Sequence, residues 1–150
     1  MRGIRLGIAV TVAAGAMFGL AACKDMMFGP PPQKSLYDRL GGQPAINAVV
    51  DDFVANVAAD PVINARFKNT DIAKLKQSLR DQICAGTGGP CTYKGKDMVQ
   101  AHKGMNVSNA EFNAMGGDML KTLNKLSVPD KEKNEVMTML GSMQASVVGH

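Results

Sequence analysis

From Pro44 to about Ala58 the chain carries Ile46, Val49, Val50, Phe53, Val54 and Val57, a spacing that gathers into one broad apolar face only on an α-helix. Pro44 stands in the first turn, where its missing N–H costs nothing, and Asp60-Pro61 stops the run. A helix this greasy cannot face water along that side, so it needs partners of the same kind.

The rest of the chain supplies them. Ser35 can cap a short helix, with Asp38 as the capping-box acid and Gly41-Gly42 as its end. After Asp60-Pro61, the residues to Phe67 read as a turn with a short helical piece. Thr70 or Asp71 caps a helix whose Ile72, Leu75, Leu79 and Ile83 point inward, opposite Lys74, Lys76, Arg80 and Asp81. Gly86, Gly88, Gly89 and Pro90 end it; they are not a phosphate loop, because no Gly-Lys-Ser/Thr follows. Ser108 and Glu111 form a capping box for a helix with Phe112, Met115, Met119, Leu120 and Leu123 inward. Gly116-Gly117 in its middle costs about 1 kcal/mol per glycine against alanine and predicts close helix packing or a kink. Ser127-Val128-Pro129-Asp130 opens a final helix with Val136, Met139, Leu140, Met143 and Val147 as its stripe. No period-two segment of useful length occurs, so the expected fold is all-α.

Residues 1–22 have the pattern of an export signal: Arg2 and Arg5, then an apolar run from Leu6 to Ala22 that is too short and glycine-rich for a comfortable membrane span. Leu20-Ala21-Ala22-Cys23 resembles the lipobox of bacterial lipoproteins, in which the cysteine is acylated. On that reading the mature chain starts at Cys23 and is lipid-anchored on the periplasmic side of a bacterial membrane. Residues 23–34, with Pro30-Pro31-Pro32, form a semi-rigid tether, and residues 35–150 form one domain. The signal holds two arginines and no acid, so 15 basic and 13 acidic residues remain and the net charge falls from +4 to +2. The basic balance therefore gives no argument for nucleic acid.

Cys84 and Cys91 remain as a pair in an oxidising setting, where a disulfide is expected. A zinc site with His102 is the sharper alternative, but it lacks an obvious fourth ligand and Cys-x-x-Cys spacing. No Cys-x-x-Cys-His occurs, so covalent attachment of a c-type haem is not supported.

His102 is the only histidine away from a chain end, and it lies four residues after Met98, on the same face of a helix that begins near Lys96. An imidazole beside a soft apolar side chain suits the proximal side of a haem iron. An ordinary half-buried histidine fits the same spacing.

Several segments in one order resemble the group 1 truncated haemoglobins, the small two-over-two globins. They are Tyr37-Asp38-Arg39-Leu40-Gly41-Gly42, Ala59-Asp60-Pro61, Phe67, Gly88-Gly89-Pro90, Tyr93-Lys94-Gly95, and Met98 to His102 followed by Phe112, within Ser35 to Val148. The resemblance implies a two-over-two helical sandwich around haem b, with His102 as the iron ligand. It also implies that Phe67 packs on the haem, that Leu75 and Leu79 line the distal face, that Met98, Val107 and Phe112 line the proximal side, and that Tyr93 lies near the haem edge. Many members carry a tyrosine and a glutamine to hydrogen-bond dioxygen where this chain has Val54 and Leu79; Gln82 is the nearest replacement donor.

The implied function is reversible binding of a diatomic gas, O2, NO or CO, opposite His102 in an unusually apolar pocket, as in oxygen binding or transport. Any catalysis would be haem redox chemistry such as NO detoxification, served by a reductase. A haem-based electron-transfer or gas- or redox-sensing protein is the alternative. A haem-free helical lipoprotein acting as an interaction module is a third.

Overall fold

The computed structural model describes residues 33–150. The signal, the lipobox cysteine Cys23 and nearly all of the tether lie outside the described residues. Within them the elements run α1 (Leu36–Leu40), α2 (Gly42–Ala59), a 3-10 turn (Asn64–Phe67), α3 (Ile72–Gly86), α4 (Met98–His102), α5 (Asn109–Lys125), α6 (Asp130–Ser142) and α7 (Gln144–Val147). The fold is all-α, as the periodicity predicts. Among the described residues there is no strand, only a single parallel bridge between Val107 and Val148. No described helix is long and apolar enough to cross a membrane.

The boundaries come from local chemistry. The Ser35 hydroxyl accepts from the Asp38 N–H, and Gly41, at φ +104°, closes α1 in a conformation that a side chain rarely tolerates. Asp71 rather than Thr70 caps α3, its carboxylate accepting from the Lys74 N–H. Ser108 and Glu111 complete the capping box of α5 in both directions.

The core is the α2 face packed against α3 and α5, with α6 behind α5. All six apolar residues of the α2 stripe are buried, together with Ile63, Ile83, Met119, Leu123 and Val136. Burying a side chain of this size contributes about 1.5–3 kcal/mol against leaving it in water. Between α2 and α5, Asn56 Nδ2 donates to Thr122 Oγ1 at 2.9 Å, so the fully buried Thr122 hydroxyl has a partner.

At the other end, Cys84 and Cys91 are joined by a disulfide, Cα atoms 5.7 Å apart. Gly89 beside it has to be glycine, because a Cβ there would lie 2.6 Å from the Tyr37 ring and 2.7 Å from Cys84 Sγ. The Gly-Gly-Pro loop thus lets an aromatic ring and a disulfide meet across bare backbone.

Four expectations change. Ile72 is exposed (39 %) and Leu75 and Leu79 are only half-buried, so the inward stripe of α3 is closed at Ile83 alone. Leu120 is exposed (40 %), since Met119 and Leu123 already fill the face that α5 turns to the core. Gly116-Gly117 marks no close packing: a Cβ at Gly116 would find only the tip of Met137 at 3.9 Å, and one at Gly117 would meet nothing within 4 Å. The final helix is two, broken at Met143, because α7 turns to pack on α4.

Candidate functional site

The segment that carries His102 is short because it is bounded on both sides. Asp97 caps α4, its carboxylate accepting from the Gln100 N–H at 2.8 Å. Beyond it, Gly104 at φ +80° and Asn106 at φ +49° turn the chain out of the helix. Only one helical turn remains, with His102 as its last residue.

His102 Nδ1 lies 2.8 Å from the Met98 carbonyl oxygen. A carbonyl can only accept, which assigns the proton to Nδ1 and leaves the lone pair of the neutral ring on Nε2. A backbone carbonyl behind the far nitrogen is how a metal-binding imidazole is held in one tautomer and one orientation.

The imidazole lines a cavity of about 90 Å³ whose other walls are apolar: Ile63, Phe67, Met105, Val107, Phe112, Met115 and Val147, with Arg66 and Glu111 as its charged members. These side chains come from the α2–α3 connection, the end of α4 and the segment after it, the first half of α5, and α7. Ile63, Phe112 and Val147 are buried; His102, Phe67, Val107 and Met115 are half-buried. A larger groove of about 390 Å³ lies elsewhere, against Leu36, Thr87 and Met139, and its one carboxylate, Glu135, is already engaged by Arg39. It offers no imidazole.

The family model described as bacterial-like globin matches residues 35–148. The chain belongs to that family. Within it, this globin is similar to the group 1 truncated haemoglobins: it is 36 % identical to that of Tetrahymena pyriformis over 116 residues, 77 % of this chain and 96 % of that protein. It is 29 % identical to the group 1 protein GlbN of Mycolicibacterium paratuberculosis, across 75 % of this chain and 83 % of that one. The crystal structure of the Tetrahymena pyriformis protein in its Fe(III) form superposes with a TM-score of 0.75, covering 78 % of this chain and all of that one. A Synechococcus 2/2 haemoglobin, solved in the cyanomet state with covalently attached haem, superposes with a TM-score of 0.70 at 35 % identity, covering 74 % of this chain and 94 % of that one.

Of the residues singled out in the sequence, the globin brings His102, Phe67, Val107 and Phe112 to one cavity. Met98 stands behind the imidazole through its carbonyl. Val54 is buried in the main core on α2, Leu79 packs against that core, and Leu75 is half-buried on the same side of α3. Tyr93 donates its hydroxyl to the Lys96 carbonyl at 2.9 Å and folds over Gly95, where any Cβ would strike its ring. Gln82 is turned toward α4 and α7, its amide N–H groups directed at Met98 Sδ at 3.4 Å and Met143 Sδ at 3.5 Å.

Sequence reasoning passed over the charged members. Arg66 donates through Nε to Glu111 Oε1 at 2.6 Å and through Nη2 to Glu111 Oε2 at 3.0 Å. The guanidinium and the Ser108 cap hold the Glu111 carboxyl far below its usual range, at about 2. The pair is 45 residues apart, and no periodicity links such positions; only the capping role of Glu111 was legible.

Proposed function

We propose that this globin holds haem b through His102 and binds a small diatomic gas, O2, NO or CO, on the opposite side. The observation that carries the reading is the His102 imidazole, steered by the Met98 carbonyl and lining a cavity that is otherwise almost wholly apolar. The residues present fit a flat apolar group with one ligand nitrogen. When bound, haem supplies the iron at which the gas is taken up.

The chain's own residues divide the work. Met98 fixes the imidazole tautomer, while Phe67, Val107 and Phe112 keep water from the imidazole side. The 90 Å³ beside His102 is far less than a porphyrin occupies, and on this reading the rest of the group lies over the α3 face. There Leu75 and Leu79 stand half-buried, and α3 makes no extensive packing against α4. Val54, Leu75 and Leu79 offer no hydrogen-bond donor to the gas. Gln82, directed at two sulfurs, is poorly placed to replace one. A pocket of this kind favours CO and NO, which depend less on a donor, over dioxygen.

The same reading places the globin outside the cytoplasm, lipid-anchored through Cys23 after removal of residues 1–22. The Cys84–Cys91 bridge, at home in an oxidising compartment, supports it.

The test is the absorption spectrum of the domain and of His102→Ala in ferric, ferrous and CO-bound forms. The wild type is expected to take up haem stoichiometrically, and the variant to lose the imidazole-ligated ferrous spectrum. Unchanged uptake and ferrous spectrum in the variant would refute the ligand assignment. Leu79→Gln, by supplying a donor, is expected to raise oxygen affinity about ten- to a hundredfold with little change for CO.

A further inference from the structure

The side chain that ties the cavity together is Arg66, one residue before Phe67. Besides its two bonds to Glu111, it donates through Nη1 to the Met105 carbonyl at 2.6 Å. Glu111 in turn accepts from the Ser108 N–H at 2.9 Å and the Ser108 hydroxyl at 2.8 Å, and so belongs to the cap of α5. One guanidinium thus joins three parts of the cavity wall: the 3-10 turn that carries Phe67, the segment just after His102, and the helix start that carries Phe112.

The middle part is the one in need of support. Between His102 and Ser108 the chain has no helix and two residues at positive φ. It is held on one side by the C-terminal strip, through the Asn106 N–H to the His150 carbonyl, the Gly149 N–H to the Val107 carbonyl, and the Val107–Val148 bridge. On the other side it is held by Arg66. A planar fork suits this place and an ammonium does not, because two parallel N–H groups grip the carboxylate while the third reaches a carbonyl at a fixed angle.

We infer that Arg66 is a positioning residue for His102: its guanidinium sets where the segment that follows the imidazole lies relative to Phe67 and Phe112. Arg66 need not touch the cofactor to do this. It acts by fixing Met105 and the α5 cap, and through them the last turn of α4. The inference rests on His102 being the haem ligand.

The experiment uses the haem-loaded domain, as wild type, Arg66→Met, Arg66→Lys and Glu111→Gln. Two quantities are read: the iron–imidazole stretching band of the ferrous, gas-free protein by resonance Raman, and the rate of haem transfer to a haem-free acceptor globin. Arg66→Met keeps the apolar stem and removes the fork, so its band is expected to shift or broaden and its haem to leave about threefold faster. Glu111→Gln is expected to do the same to a smaller degree, and it carries the test if Arg66→Met does not fold. Arg66→Lys restores charge without the fork and is expected to recover only part of the wild-type band. A structural role alone would lower the melting temperature and leave the band in place. If the band is unchanged in both Arg66→Met and Glu111→Gln, Arg66 positions nothing. If the wild-type domain takes up no haem, the proposed function fails and this inference falls with it.

Discussion

Along α2, six side chains are buried from the first turn to the last, whereas α3 buries only Ile83 and Cys84 near its end and α4 buries none. Both α2 and α3 carry an apolar stripe at helical spacing. They differ in what they meet. The α2 stripe meets α3 and α5 and forms a closed core, while α3 and the single turn of α4 make no extensive packing with each other. Burial is concentrated in one region, and the other keeps a half-buried imidazole beside a small apolar cavity. A site can be left open only if the rest of the core can hold the fold without it.

The sharpest way to break this division is to cut each region in turn. Leu123→Ala, at a position that is 1 % exposed, should cost about 2–5 kcal/mol in chemical denaturation of the haem-free domain. His102→Ala, half-buried on one helical turn, should leave that curve almost unmoved. Equal losses would mean that the cavity is part of the core.

Removing the bridge with Cys84→Ser and Cys91→Ser should cost about 2.5 kcal/mol on the chain-entropy model, measured by the same denaturation, with haem uptake at saturating haem unchanged. Loss of uptake in a domain that is still folded would tie the disulfide loop to the site.

Gly117→Ala should stabilise the domain by about 0.5–1 kcal/mol, because a Cβ there meets nothing and alanine loses less backbone freedom in a helix. A loss would reveal a partner for that face of α5.

The smallest effect concerns charge. Asp118 is buried on α5 with Oδ2 unpartnered, and burial first, then the nearby Asp60 carboxylate, push its carboxyl up. An acid whose folded pKa exceeds its unfolded one favours the fold in its protonated form, so its penalty is absent at low pH and grows as pH rises through the carboxylate range. Asp118→Asn should therefore raise the melting temperature at about pH 7 and change it little at about pH 3. Glu111 runs the other way: its carboxyl is held at about 2, so its contribution is complete above the ordinary glutamate range and is lost as pH falls toward 2. Thermal scans of Asp118→Asn and Glu111→Gln across that range separate the two signs.

Much of this architecture was legible before any coordinates. The caps at Ser35 and Ser108, the α3 cap at Thr70 or Asp71, and the stripe of α2 follow from short-range chemistry, in which each residue's partner lies within about one helical turn. The same is true of His102, whose relation to Met98 is an i to i+4 spacing. Periodicity failed where depth mattered. It names the face on which Ile72 and Leu120 stand, but how far that face is covered depends on elements elsewhere in the chain.

What the sequence by itself determined is the set of helices, most of their inward faces and the one histidine away from a chain end, because these depend on spacing and residue type within a turn or two. Only the tertiary structure decided that Ile63, Met115 and Val147 line the cavity beside His102, that Gln82 turns to two sulfurs, and that Arg66 grips Glu111 across 45 residues. Those meetings arise from how whole helices and connections pack, and packing is settled by the sum of many distant contacts that no local pattern encodes.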